Sequence, residues 1–350
     1  MPRIISVGRA LPSHRFRQDV IRDYIAGYFK DSGVDVDRLL PVFENSRIEQ
    51  RYSAVPLEWF GTSRSFQDKN DKYIEASCEL GVRASEAAFE RAGLDVSQIG
   101  SIIFISTTGL ATPSIDARLI NLLGLNKNIK RLPVWGLGCA GGAAGLIHAY
   151  DYLKGHPDQN VLIVAVELCG LTFQQDDFSK SNFVATALFG DGAAAVVMSG
   201  DEVGRDGPHV LDVQSTIWPD SLDIMGWDIV SQGMQVVFSR RIPGIVRKYM
   251  AENLQEILEK NNLTLHDLDH IIAHPGGAKV IEAYEEALNL TYGKMDISRA
   301  VLRDYGNMSS VTVLFVLDEF LRNGKTNKND LGIITALGPG FSSETLLIQF

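Results

Sequence analysis

Residues 134–146 read VWGLGCAGGAAGL and place one cysteine, Cys139, at a sharp corner of the chain. The apolar run 132–135 enters Gly136-Leu137-Gly138, and behind the cysteine residues 140–147 are small or apolar with helical character. That order predicts a strand, a tight turn and a buried helix. Glycines on both sides of the cysteine permit turn angles closed to other residues and a close approach of neighbouring backbone. A thiol at a helix N-terminus meets unsatisfied N–H groups and the positive end of the dipole, which favour the thiolate and suit a nucleophile. A buried cysteine beside a glycine-rich packing contact is written with the same residues, so the rest of the chain has to decide.

Outward from this corner, the continuous apolar run 161–166 reads as a strand covered on both faces and ended by Glu167, and 102–105 reads as another strand. Helical spacing of Ile74, Cys78, Val82 and Phe89 predicts a helix over 70–92, stopped by Gly93, with further helices over 18–29 and 113–123. The second half repeats this logic. Leu94, Ile99, Ile102 and Ile103 recur as Leu263, Leu268, Ile271 and Ile272, an offset of 169 residues (94 to 263) in a chain of 350. Helices over 242–260 and 309–321 and strands over 210–217, 333–337 and 345–350 complete the plan. The expectation is an α/β protein of two like halves, 1–203 and 204–350, separated within the composition change at 201–208.

Composition narrows the function. A hydrophobic content of 45% supports sizeable cores, and a net charge of −10 argues against a nucleic-acid or anionic-membrane surface, which needs a basic face. Any anionic ligand must then meet a local basic pocket. Three cysteines, Cys78, Cys139 and Cys169, are odd in number and lack metal-ligand spacing, which fits a reducing cytoplasm rather than a disulfide framework. No stretch approaches the roughly 18 apolar residues of a membrane span. Of the seven histidines, His274 stands apart: it ends the buried run 271–273 and opens Pro275-Gly276-Gly277, at the strand end where α/β sheets bind ligands. Asn307 precedes an apolar helix, where it serves either as an N-cap or as a partner of the thiol.

Together, Gly138-Cys139-Ala140-Gly141-Gly142, His274-Pro275-Gly276-Gly277 and Gly306-Asn307-Met308-Ser309-Ser310 resemble the three active-site motifs of type III polyketide synthases, the chalcone and stilbene synthase family. The likeness runs from Arg51 to the Gly338-Pro339-Gly340 loop and includes residues 187–194, ALFGDGAA. Gly226-Trp227-Asp228 and Phe341-Ser342-Ser343-Glu344 most resemble Bacillus-type synthases that make alkylpyrones from fatty acyl-CoA. The resemblance implies a thiolase-like fold with mixed sheets between helix layers, a homodimer, and chemistry on CoA thioesters without a metal or other cofactor. It implies that Cys139 takes the acyl group from an acyl-CoA. His274 and the Asn307 amide would then stabilise the enolate formed when malonyl-CoA loses CO2. Phe189 falls where the CoA tunnel meets the cavity, its other reading being a core aromatic before a glycine turn. A ketoacyl synthase III-like enzyme, extending once on a carrier protein, is the alternative.

The resemblance also implies substrate-binding positions at Thr107, Glu167, Cys169, Thr172, Trp227, Val236, Ser309, Gly338 and Pro339. Thr107, Glu167 and Ser309 match a hydrogen-bonding set that favours aldol ring closure in stilbene synthases, and Val236 replaces a second gatekeeper phenylalanine of plant members, which widens the cavity. The basic residues that hold CoA phosphates in plant members fall near Arg38, Pro41 and Asn45, so only the first keeps its charge. Lys279, at a predicted helix start beside Gly276, becomes the local phosphate candidate, with Arg47 and Arg51 behind it. The expected activity is iterative condensation of malonyl-CoA onto a fatty acyl-CoA, releasing alkylpyrones with alkylresorcinols as a further product.

Overall fold

The computed structural model describes residues 1–30, 35–322 and 326–350. Its strands are β1 (Arg3–Ala10), β2 (His14–Arg17), β3 (Gln50–Ser53), β4 (Ile99–Ile105), β5 (Lys130–Val134), β6 (Asn160–Leu168), β7 (Asp191–Ser199), β8 (His209–Ile217), β9 (Met225–Val230), β10 (Gly233–Phe238), β11 (His270–Ala273), β12 (Leu331–Gly338) and β13 (Ser342–Gln349). The helices are α1 (Gln18–Tyr28), α2 (Val36–Leu39), α3 (Pro41–Asn45), α4 (Phe66–Ala92), α5 (Ile115–Leu123), α6 (Gly141–Gly155), α7 (Lys180–Leu188), α8 (Ile242–Lys260), α9 (Ala278–Ala287), α10 (Asp296–Tyr305) and α11 (Ser310–Arg322).

Nine strands form one mixed sheet in the order β11-β12-β13-β8-β1-β7-β6-β4-β5. β4 runs parallel to β5 and β6, and β11 parallel to β12, while the remaining neighbours are antiparallel. The mixed strand groups expected of the two halves are both present, and the N-terminal group β1-β7-β6-β4-β5 joins the C-terminal group edge to edge through a single pair, Arg3 with His209.

Successive side chains of a strand face opposite ways, and the burial follows that alternation. Ile103, Ile105, Ile163 and Ala165 from one group, and Ile272, Ile334, Leu346 and Ile348 from the other, meet around α6 and α11 in one buried cluster. Their neighbours Ile102, Phe104, Leu162 and Val164 pack outward with residues of α4 and α5. Ile271, Ile333 and Leu347 pack outward with α8 and α9. The layers therefore run helix, strand, helix, strand, helix, with α6 and α11 in the middle. Burying each large aliphatic side chain contributes about 1.5–3 kcal/mol, and the 161–166 run, wholly buried, belongs to both faces of its group.

The central layer explains the small residues after Cys139. A side chain at Gly142 would fall on the backbone carbonyl of Ser310, so α6 lies against α11 only because that position carries none. The internal repeat is also physical: after α4 and after α8 the chain makes a short 3-10 turn closed by a capping box, Asp95 with Gln98 and Thr264 with Asp267, before entering β4 and β11. α4 begins four residues earlier than its apolar spacing indicates, because Ser65 and Asp68 form a capping box ahead of it. The β9–β10 hairpin was not anticipated, its sequence lacking a clear alternation. Among the described residues no helix is long and apolar enough to cross a membrane.

Candidate active site

Three element ends converge in the middle layer. Cys139 sits in the 3-10 turn Gly138–Ala140 that feeds α6. His274 directly follows β11, its backbone N–H continuing the ladder to Thr335 O at 2.9 Å. Asn307 lies between α10 and α11 and forms an isolated parallel bridge with Phe189, through Gly190 N to Asn307 O at 3.0 Å and Asn307 N to Leu188 O at 2.9 Å. The turn holding Cys139 needs the left-handed φ of +47° at Gly138, and a side chain there would come within 2.7 Å of Pro339. Gly338 and Pro339 thus pack on the cysteine turn.

The side-chain amide of Asn307 is oriented from both ends. Its Oδ1 accepts from Ser309 N at 2.8 Å and faces the Cys139 thiol at 3.9 Å, while Nδ2 donates to Gly276 O at 3.2 Å. An amide nitrogen carries two hydrogens, so one remains for a ligand. Ser309 itself takes a left-handed φ of +48°, a conformation uncommon for a side-chain-bearing residue and held by these contacts. His274 is buried, and both its ring nitrogens lack a hydrogen-bond partner among the described residues. Burial lowers its pKa to about 3 and pushes the Cys139 thiol up to about 11, against smaller opposing contributions from Ser309 and Asn307. Burial thus works against the thiolate that a helix N-terminus favours.

Glu167, wholly buried at the end of β6, organises the surroundings. It accepts from Thr107 N at 3.0 Å, Thr108 Oγ1 at 3.0 Å and Ser310 Oγ at 2.6 Å, and Thr107 Oγ1 in turn accepts from Gly138 N at 3.1 Å. Burial raises Glu167 to about 7 despite these donors. Of the expected Thr107-Glu167-Ser309 set, Thr107 reaches Glu167 through its backbone N–H, and the hydroxyls that bond the carboxylate are those of Thr108 and Ser310. Adjacent hydroxyl residues at 107–108 and 309–310 made either member of each pair possible, and only the turn conformation selects.

Cys169, Thr172, Phe189 and Val236 line one mainly apolar cavity with about 80 Å3 of open space, together with Tyr24, Ile25, Phe60 and Phe173. Cys169 is near enough to Cys139 that ionising one penalises the other. Trp227, paired across the hairpin with Val236, stands behind Phe189 at 6.2 Å between ring centroids. Thr107, Glu167, Ser309, Gly338 and Pro339 surround Cys139 rather than this cavity. Lys279 is exposed in the first turn of α9, and Arg47 is exposed with a left-handed φ of +59°. Arg51 is no phosphate contact: it is buried, its Nε donates to Gln18 Oε1 at 3.0 Å and its Nη1 to Phe189 O at 2.6 Å.

Comparison with known proteins agrees with this arrangement. Residues 2–202 match the N-terminal domain model, and residues 210–350 the C-terminal domain model, of chalcone and stilbene synthases. The chain is 42% identical to a putative chalcone synthase of Bacillus subtilis (strain 168), covering 100% of this chain and 99% of the relative. It is 38% identical to 1,3,6,8-tetrahydroxynaphthalene synthase of Streptomyces peucetius subsp. caesius, covering 99% and 93%. The crystal structure of 1,3,6,8-tetrahydroxynaphthalene synthase from Streptomyces coelicolor A3(2), a bacterial type III polyketide synthase, superposes with a TM-score of 0.94 at 28% identity over 99% of both chains. These matches set aside the ketoacyl synthase III-like alternative. The chain belongs to the chalcone and stilbene synthase family: it is a type III polyketide synthase of thiolase-like fold, an acyltransferase that condenses malonyl-CoA iteratively and takes CoA thioesters as substrates without a further cofactor.

Proposed function

We propose that this synthase starts from a medium or long aliphatic acyl-CoA and releases mainly alkylpyrones, with alkylresorcinols as a minor product. The observation that carries the reading is the cavity beside Phe189, whose lining is mainly apolar, Tyr24, Ile25, Phe60 and Phe173 among its walls beside Cys169 and Val236. Such a wall gains about 0.8 kcal/mol for each methylene it takes from water. Lactone formation needs only an enol oxygen attacking the terminal thioester, which makes the pyrone the default release.

In this reading Cys139 is the acyl carrier. Its proton passes to a ring nitrogen of His274 as the sulfur attacks the acyl-CoA carbonyl, CoA leaves as its thiol by taking that proton from His274, and the acyl group is held as a thioester. Malonyl-CoA follows, and loss of CO2 leaves an enolate whose oxygen receives the free Asn307 amide hydrogen and the His274 N–H. The enolate carbon attacks the acyl thioester, the Cys139 sulfur departs as thiolate, and the chain, two carbons longer and now a CoA thioester, is transferred back to Cys139 for the next extension. Buried, preoriented donors are worth more here than in water, since nothing must reorganise at the moment of reaction. Phe189 borders the entry, and Lys279, Gly276 and Arg47 are the proposed CoA contacts, Lys279 supplying a cation at a helix start.

The proposed assembly is a homodimer. β5 is an edge strand of the sheet, and Leu110, Leu122, Leu132 and Trp135, on or near it, are large exposed hydrophobic residues. An open apolar edge is a pairing surface.

Mass spectrometry of products from a panel of acyl-CoA starters with malonyl-CoA tests the substrate assignment. Triketide and tetraketide pyrones from C8 and longer starters are expected; a kcat/KM maximum with acetyl-CoA or an aromatic starter would remove it.

A further inference from the structure

Arg51 is buried at the wall of the apolar cavity, with Cys169, Thr172, Phe189 and Val236 as neighbours in that lining. Two of its three nitrogens are committed, Nε to Gln18 Oε1 and Nη1 to Phe189 O. Nη2 is buried without a partner among the described residues. A lone buried guanidinium donor is costly; Asp191 is close enough to favour its charge, but no group of the lining accepts from Nη2. Asp191, the nearest carboxylate in the lining, is held by Gly170 N at 2.7 Å and Ala54 N at 2.8 Å. The Thr172 hydroxyl is turned to Cys169 O, the Ser53 hydroxyl to Val55 O, and the Asn182 amide to Gln174 O and Asp177 O. Among the buried side-chain nitrogens and oxygens of this lining, only Arg51 Nη2 lacks a partner among the described residues.

Its position relative to the chemistry is defined by the backbone. Arg51 bonds the carbonyl of Phe189, and Phe189 is bridged to Asn307, whose side chain faces the Cys139 thiol. A chain carried by Cys139 that entered this cavity past Phe189 would pass Arg51, with Tyr24, Ile25, Phe60 and Phe173 facing its alkyl remainder. A saturated acyl chain offers no acceptor there. A chain that has been extended offers a keto oxygen.

We propose that Arg51 is a substrate-binding residue that donates from Nη2 to a keto oxygen of the extended chain, so that the cavity holds the diketide more tightly than the saturated starter. The inference rests on the polyketide-synthase membership and on the chain occupying this cavity. Gripping the ketone keeps the extended chain seated for the next malonyl-CoA, which sets how many extensions precede release.

The test compares octanoyl-CoA with 3-oxooctanoyl-CoA, of equal length, as starters for the full-length enzyme. The wild type should show a KM about tenfold lower for the oxo-acyl substrate, as one recovered charged hydrogen bond supplies, and Arg51→Lys should abolish that ratio while lowering the proportion of tetraketide products. Gln18→Met, which loosens Arg51 from behind without removing Nη2, should leave the ratio in place. Equal KM values in the wild type, or an unchanged ratio in Arg51→Lys, would overturn the proposal; so would loss of the ratio in Gln18→Met to the same degree, which marks a merely structural effect. If Arg51→Lys does not fold, the wild-type comparison alone decides. Absence of any malonyl-dependent product from either starter would instead count against the aliphatic-starter reading.

Discussion

Cys139 and Glu167 show how far burial governs single residues here. Burial pushes the thiol up to about 11 and His274 down to about 3, so the packing around both works against their charged forms. Cys139→Ala should lower polyketide output by several orders of magnitude and leave no acyl label on the protein, whereas decarboxylation of malonyl-CoA, which leans on His274 and Asn307, should persist in part. Label found on Cys78 or Cys169 would reassign the carrier. Glu167 lies above its ordinary value of 4.5, at about 7, because burial disfavours its charge. The stability it leaves intact is full below pH 4.5 and is lost as pH rises to about 7, by about 3 kcal/mol. Relative to the wild type, Glu167→Gln should therefore be about that much more stable at pH 8 than at pH 4 in urea titrations. A constant difference across that range would show that folding leaves the pKa of this carboxyl unshifted.

At the scale of elements, the β9–β10 hairpin shapes the substrate. Val236 reaches the cavity from β10, Trp227 backs Phe189 from β9, and Gln174 Nε2 ties the hairpin down through Met234 O at 2.9 Å. Val236→Phe should fill space that now admits methylenes, moving the preferred starter to shorter chains and reducing kcat/KM for the longest by about tenfold, the equivalent of two methylenes. Competition assays with mixed acyl-CoA chain lengths read this directly, and an unmoved preference would take Val236 out of the acyl path. The hairpin escaped the sequence reading because Gly226-Trp227-Asp228 and Ser231-Gln232-Gly233 interrupt any period-two pattern. It forms through its own cross-strand pairs and packs on residues far away in sequence.

For the whole molecule, the middle helix layer does two things: it buries the interior faces of both strand groups and it brings Cys139 at the start of α6 within reach of Asn307 just before α11. The outer face of β5 remains open. Light scattering at micromolar concentration should give the mass of a dimer, and the double change Leu122→Asp with Leu132→Asp should shift it toward a monomer; a wild-type monomer would remove the assembly proposal.

The local chemistry of this protein was legible in its sequence. The glycine-framed Cys139, the strand-ending His274, the pre-helical Asn307, the half-length repeat and the continuous apolar strands all follow from short-range rules, since turn angles, caps and periodicity depend on neighbouring residues. What the tertiary structure alone decided is what those rules do not reach. The joining of the strand groups at Arg3 and His209, the choice of Ser310 over Ser309 for Glu167, and the burial of Arg51 against Phe189 each depend on segments distant in sequence. The direction in which burial shifts Cys139 and His274 does too, because desolvation is a property of everything packed around a group, and no local pattern in the chain encodes it.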